Sequence, residues 1–368
     1  MSNEKEICDK WLLNKNINPE TSRKIKETGQ VYKKLAKKCL SDNIIDRINY
    51  YVIMKTYLMS IKEKNNCFGL YNIDEKTKEI KYRIGKKIIL DKNIGNHNNN
   101  GIVYLSYFKS NIKNGPKFAV KITNQSNKNK KELQVLLDLT KEVINFKCPH
   151  FPICYGYMEC NNTDDNLIIK DKKLNKNKKL FIQINELASG DLNNNILSNE
   201  NKDLLNTITQ LFISIMFFHN ITNSLHSDIH EGNFLFHKIN KGGYFHYNIY
   251  DIDYYLENKG FLWIIWDFSY ISPFTKKNKY GKIQETNINY DYLSLCNIFN
   301  NYNNINATDY LIIKKLYNQI ISKYNNLTDS SILKNIDKQI LEFLLLNVSS
   351  FTTIKPSNII NKKPFIII

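Results

Sequence analysis

The most constraining stretch of this chain runs Leu225-His226-Ser227-Asp228-Ile229-His230-Glu231-Gly232-Asn233-Phe234-Leu235. It follows a long apolar segment with helical spacing, and apolar residues anchor it at both ends. Asp228 and Asn233 therefore stand at fixed spacing in a polar loop. Phosphoryl transfer needs such a pair, a carboxylate to orient the attacking hydroxyl and an amide oxygen to hold a metal. Two further segments carry lone charges in apolar surroundings. In Trp263-Ile264-Ile265-Trp266-Asp267-Phe268-Ser269 a carboxylate follows an apolar strand, which suits a magnesium ligand at a strand end. In Phe118-Ala119-Val120-Lys121-Ile122 a single Lys sits within an apolar strand, where it is costly unless paired. Glu132 and Glu142 on the following helix are its available partners.

Charge gives a weaker signal. The formal net charge is +17, yet Arg occurs only at Arg23, Arg47 and Arg83. Arg is the preferred fork for phosphates and base edges. Its scarcity, with inflated Asn, Ile, Lys and Tyr, reads as A+T-rich coding spread over a solvated surface. No specific nucleic-acid partner is expected. The seven cysteines are an odd number and contain no CxxC pair, so neither a disulfide scaffold nor a zinc ribbon is predicted. The longest apolar run, near Leu211–Phe218, is short of the roughly 20 residues of a membrane span, and the first ten residues lack an apolar signal core. A soluble protein of a reducing compartment is expected, without signal peptide or transmembrane segment.

Periodicity divides the chain. Residues 1–43 form a small polar unit and residues 44–80 a helical linker. From Lys81, IKYRIGKKIIL, IVYLSYF and KFAVKI read as three antiparallel strands. A helix is predicted near 130–145, then strands at Ile153–Glu159 and Lys179–Leu187. After Asp191 helices dominate, at 202–218, 289–299, 308–324 and 331–346. This predicts an α+β protein with a strand-rich half (81–187) and a helical half (188–368).

Taken in order, AVK, HSDIHEGN and the later WDF resemble the protein kinase-like family, from about Lys81 onward. The resemblance implies a bilobal fold, ATP and Mg²⁺ as cofactors, and transfer of the γ-phosphate to a protein Ser/Thr hydroxyl. It implies that Lys121 binds the α- and β-phosphates and pairs with Glu132, that Asp228 steers the hydroxyl proton, and that Asn233 and Asp267 hold Mg²⁺. Gly95 and Gly101 would bound the loop over the phosphates. Val103 and Ala119 would line the nucleotide site. Backbone groups of Glu186 and Ala188, in a hinge-like INELASGD, would bond adenine, and Asp191 could reach the ribose. His226 would pack beneath Phe268, and Asp291 would brace the catalytic loop.

Several positions depart from that pattern. Ser227 replaces the usual Arg, which makes switching by phosphorylation doubtful. His230 stands where Ser/Thr kinases usually carry Lys; the DxH pattern also occurs in choline- and aminoglycoside-type phosphotransferases. An enlarged hairpin separates Asn233 from Asp267, and its Asp251 and Asp253 read as a solvated turn. A pseudokinase scaffold is the third alternative. At the N-terminus, Cys8-Asp9-Lys10-Trp11-Leu12, Ile17-Asn18-Pro19-Glu20-Thr21 and Val31-Tyr32-Lys33-Lys34-Leu35 with Cys39 resemble the two-cysteine adaptor domain of large DNA viruses. That resemblance implies protein complexes formed through residues 1–43, and a place in host cytoplasm or virion. Trp11 reads as a small-core anchor and Pro19-Glu20-Thr21 as a turn. Cys8 and Cys39 could pair or be unrelated thiols.

Overall fold

The computed structural model describes residues 7, 10–11, 16–26, 29–39, 43–60, 68–73, 80–85, 88–94, 101–108, 117–161, 179–197, 203–277, 283–285, 287–300, 305–324, 333–361 and 363–367. The protein is a mixed α+β chain that divides into two compact units, Met1–Leu137 with Ile153–Leu187, and Asp138–Pro152 with Ala188–Ile368.

The first unit begins with a small cluster. Trp11 and Leu35 are buried against Ile7, Ile25 and Tyr32, and the Trp11 and Tyr32 rings meet edge to face at 5.2 Å. Leu35 and Tyr32 lie on helix α1 (Gln30–Cys39). The expected turn is present: Ile17 bridges Lys24, Ser22 N–H donates to Asn18 O, and Asn18 Oδ1 accepts from Glu20 N–H.

Helix α2 (Asn43–Ser60) follows. Then come strands β1 (Phe68–Ile73), β2 (Ile80–Ile84), β3 (Ile88–Asn93), β4 (Ile102–Phe108) and β5 (Lys117–Asn124). Helix α3 (Asn127–Ile144) leads to β6 (Cys154–Asn161) and β7 (Lys179–Asn185). Among the described residues these strands form one sheet in the order β1-β2-β3-β4-β5-β7-β6, each neighbouring pair antiparallel. The sheet departs from expectation twice. IKYRIGKKIIL is a hairpin of two strands, because Gly85 at φ +56 turns the chain between them. Phe68–Ile73 adds an edge strand inside the stretch expected to be a helical linker.

Period-2 alternation sorts the central strands. Val120, Ile122, Ile182 and Ile184 are fully buried on one face. The register pairs Lys121 with Gln183 and Ala119 with Asn185 on the other. Helix α2 packs on β6, with Tyr50 and Tyr155 rings edge to face at 5.6 Å.

In the second unit, β8 (Gly190–Asp191) leads to α4 (Leu192–Leu197), which Asp191 caps. Helix α5 (Leu204–Thr222) is buried from Asn206 to His219. Among the described residues it alone is long and apolar enough to cross a membrane, and 83% of its apolar window lies inside the fold. It ends at Asn223 in the left-handed conformation, whose N–H returns to His219 O. The chain then forms β9 (Ser224–Leu225), a 3₁₀ turn at Glu231–Asn233, β10 (Phe234–Lys238), β11 (Tyr244–Ile249), β12 (Ile252–Glu257) and β13 (Phe261–Ile265). Short strands β14 (Ser272–Pro273), β15 (Thr275–Lys277) and β16 (Ile283–Glu285) precede helices α6 (Tyr290–Asn300), α7 (Ala307–Tyr324) and α8 (Leu333–Asn347). Strands β17 (Phe351–Thr352) and β18 (Phe365–Ile367) close the described chain.

The enlarged hairpin is β11–β12. Tyr250 and Asp251 both have positive φ, the requirement of a tight two-residue turn. Asp251 and Asp253 are exposed, and Asp253 accepts from Asn248 and pairs with His246. The hairpin is the centre of a sheet ordered β17-β12-β11-β18, in which the C-terminal strand pairs parallel with β11. Cys148, Cys154 and Cys296 are buried free thiols, whereas Cys160 is disulfide-bonded, which the cysteine pattern did not predict.

Candidate functional site

The sequence candidates fall into two groups, one in each unit. In the first unit, β5 carries Lys121 and α3 carries Glu132. Both side chains are about 95% buried, and Lys121 Nζ meets Glu132 Oε1 at 2.5 Å. The choice of Glu132 over Glu142 agrees with this geometry. Glu142 instead faces Lys147, at 3.2 Å, in the second unit. A buried ammonium and carboxylate each lose several kcal/mol of hydration, roughly, and only mutual contact offsets it.

Gly101 lies where β4 begins, at φ +136. A Cβ there would stand 2.6 Å from Ile122 O and from Thr123 Cγ2, so only glycine lets the chain pass this close to β5. Ile94 N–H donates to Val103 O and closes the strands below the loop. Gly95 lies outside the described residues. Val103 is half-buried, and Ala119 is buried at the position opposite Asn185.

Glu186, at the end of β7, is held more tightly than expected. Its carboxylate accepts from Arg47 Nε at 2.9 Å and from Arg47 Nη2 at 2.6 Å, a two-point fork. It also accepts from Ile153 N–H at 2.8 Å. The Glu186 N–H donates to Ile153 O, so that group is committed within the protein. Sequence reasoning missed Arg47. The signal was its rarity: in a chain that uses Lys almost everywhere, a guanidinium marks a place where a planar fork is needed.

In the second unit, Ala188 is half-buried at the start. Asp191 accepts from Asn194 N–H at 2.8 Å and from Asn194 Nδ2 at 2.9 Å, which makes it the cap of α4.

The loop 226–233 is suspended between β9 and β10. Asp291, in the first turn of α6, is fully buried and fixes its start. Asp291 Oδ2 accepts from His226 N–H at 2.6 Å, and Oδ1 from Ser227 N–H at 3.0 Å. His219 Nε2 meets Oδ2 at 2.8 Å. Burial pushes the Asp291 carboxyl up, but the His219 contact and the neighbouring charge and hydrogen bonds outweigh it, so its pKa is lowered. Ser227 takes φ +64, a conformation rare for residues with a Cβ, and the double anchoring on Asp291 holds it.

Within the loop, Asn233 Nδ2 donates to Asp228 O at 2.9 Å and to Asp228 Oδ2 at 3.2 Å. With the amide nitrogen committed, the Asn233 oxygen is oriented as an acceptor. The Asp228 side chain remains 34% exposed. His230 Nδ1 accepts from Gly232 N–H, and its Nε2 lies 3.9 Å from Asp228 Oδ2.

Strand β13 delivers Asp267 to the same loop. Trp266 N–H donates to Asn233 O at 2.8 Å, and His226 Nε2 meets Trp266 O at 2.9 Å. Asp267 is buried at φ +61, and its Oδ1 accepts from Ser269 N–H and Oγ. Phe268 stacks on Phe218 at 5.6 Å and meets His226 edge to face at 5.7 Å. The expected packing of His226 beneath Phe268 is therefore present. Burial lowers the His226 pKa.

Among the described residues no three His, Cys, Asp or Glu side chains form a ready metal cluster. A magnesium ion needs fewer protein ligands than that, since it keeps waters and uses substrate phosphates. The oriented Asn233 oxygen and the Asp267 carboxylate are a hard oxygen pair that fits it.

Comparison with known proteins bears on the N-terminus. Residues 7–41 match the family model of the 2-cysteine adaptor domain. The Trp11–Leu35 cluster and the Asn18–Ser22 turn lie within that match. Cys8 is outside the described residues, and only the backbone of Cys39 is described. No curated protein matches the chain.

Proposed function

We propose that this chain is an ATP- and Mg²⁺-dependent phosphotransferase of bilobal protein kinase-like fold, most simply a Ser/Thr protein kinase of a large A+T-rich DNA virus. The observation that carries the reading is the loop 226–233. Asp291 fixes its backbone, Asp228 keeps a partly exposed carboxylate and holds the Asn233 amide, and Trp266, the neighbour of Asp267, donates to the Asn233 carbonyl. A loose phosphoryl-transfer transition state asks the protein for positioning and charge rather than covalent chemistry. Asp228 would accept the hydrogen bond of the attacking hydroxyl and take up its proton. Asn233 and Asp267 would hold Mg²⁺, which supplies charge neutralisation on the phosphates. Lys121, steered by Glu132, would hold the α- and β-phosphates, with Gly101, Val103, Ala119 and the Glu186 carbonyl around the nucleotide and Ala188 and Asp191 assisting.

The adaptor match supports protein complexes formed through residues 1–43, in host cytoplasm or virion. A second reading, a small-molecule phosphotransferase, is favoured by His230 lying 3.9 Å from Asp228.

The test is transfer from γ-labelled ATP. The full chain should label a mixed protein substrate, and Asp228→Asn should not. Labelling of choline or an aminoglycoside in preference would select the second reading. Failure of either to label, with intact nucleotide binding, would leave the adaptor-bearing scaffold.

A further inference from the structure

The face of the first sheet that carries Lys121 also carries two amides. Gln183 is opposite Lys121 and Asn185 is opposite Ala119. Both side chains are fully buried, and among the described residues neither the nitrogen nor the oxygen of either amide has a hydrogen-bond partner. Buried polar groups are almost always paired, so four orphaned atoms on one strand face call for a ligand. The adjacent Lys121 and Glu132 are engaged with each other.

Resting on the nucleotide-binding reading above, we propose that Asn185 reads the 6-position of the purine base. Along β5, Ala119 marks the base end and Lys121 the phosphate end. The register therefore puts Asn185 beside the base and Gln183 beside the phosphates. A primary amide carries one acceptor and two donors. Its oxygen can accept from a 6-amino group while its nitrogen donates to N7, the pairing by which Asn recognises adenine. Rotated by half a turn, its nitrogen donates to a 6-oxo group. In that rotamer its oxygen faces N7, acceptor against acceptor, so the side chain favours ATP and tolerates GTP as a second, weaker phosphoryl donor. A purine without a 6-substituent cannot satisfy it.

The experiment is equilibrium binding of ATP, GTP and purine riboside triphosphate, which lacks the 6-substituent, to the full chain with Mg²⁺. For the unmodified chain, ATP should bind more tightly than GTP, by less than about tenfold. Purine riboside triphosphate should bind about tenfold more weakly, the loss of one net hydrogen bond. That comparison needs no variant and is unaffected by any folding defect. In Asn185→Leu the preference over purine riboside triphosphate should vanish. Gln183→Met, which removes an equally buried amide, should preserve it. Equal binding of ATP and purine riboside triphosphate by the unmodified chain overturns the proposal and leaves nucleotide binding standing. So does a preference for ATP of tenfold or more over GTP, or an unchanged preference in Asn185→Leu. A folded chain that binds none of the three overturns both this proposal and the phosphotransferase reading.

Discussion

The two groups of candidate residues are built on opposite principles. In the first unit, Lys121 and Glu132 neutralise each other inside the fold, as do Arg47 and Glu186. Each charge faces an opposite charge from another element. In the second unit the acids are fixed by several neutral hydrogen-bond donors, backbone N–H groups among them. Asp291 accepts two successive loop N–H groups, Asp267 is bonded by Ser269, and Asp228 is tied to Asn233 five residues away while its carboxylate stays partly open. Removing a charge from the first unit strands its partner. Removing one from the second distorts the loop or deletes its chemistry. The difference predicts which substitutions will be repaired by a second one.

The largest effects belong to the loop. On the proposed phosphotransferase reading, in which the carboxylate acts on the hydroxyl, Asp228→Ala should lower kcat by roughly 10²–10⁴ and leave ATP affinity within about threefold. Asp267→Ala should abolish the Mg²⁺-dependent part of nucleotide binding, measured by titration with and without the metal. If Asp228→Ala weakens ATP binding as much as turnover, the division of roles is wrong.

Asp291→Ala should act on stability as well as turnover. It leaves two buried N–H groups and His219 without their acceptor, a loss of about 3–5 kcal/mol on the scale of broken buried pairs, read by urea denaturation. No single second substitution should restore it, since two of the three lost partners are backbone N–H groups.

In the first unit repair should work. Lys121→Met or Glu132→Gln alone should each cost about 3–5 kcal/mol, and the double variant Lys121→Met/Glu132→Met should regain most of it. Catalysis should not return, because no ammonium is left for the phosphates. Recovery of turnover in the double variant would remove Lys121 from the reaction.

The contrast also governs what could be read from the sequence. Asp228, Asn233 and Asp267 were legible because their constraints are local: a loop of fixed length after a helix, and a carboxylate at a strand end. Asp291 was legible only through resemblance, since its contacts span more than sixty residues. Lys121 announced itself by chemistry, a charge in an apolar strand. Its partner needed a choice between two glutamates, which the helix register decided. Arg47, Gln183 and Asn185 were not read at all. Their meaning depends on which strand lies opposite, and the pairing of β5 with β7 is a long-range fact. The edge strand Phe68–Ile73 was lost for a related reason: FGLYNI carries weak alternation, and pairing with β2 decides its state.

The smallest effect separates the units by pH. His226 is buried against Phe218 and Phe268, and burial lowers its pKa below the ordinary 6.5; Asp291, Trp266 O and other acids oppose this only in part. Its folded pKa lies below the unfolded one, so between the two values the unfolded chain binds the extra proton. Stability is fully present above about pH 6.5 and is lost as pH falls below it, with a slope of at most about 1.4 kcal/mol per pH unit for one proton. Asp291, held below 3.8, adds a further loss only in stronger acid, while Asp337, pushed up by burial, works in the opposite sense. His226→Phe should therefore flatten the stability profile just below pH 6.5, and Lys121→Met/Glu132→Met should not. An unchanged slope in His226→Phe would mean that another group takes up the proton.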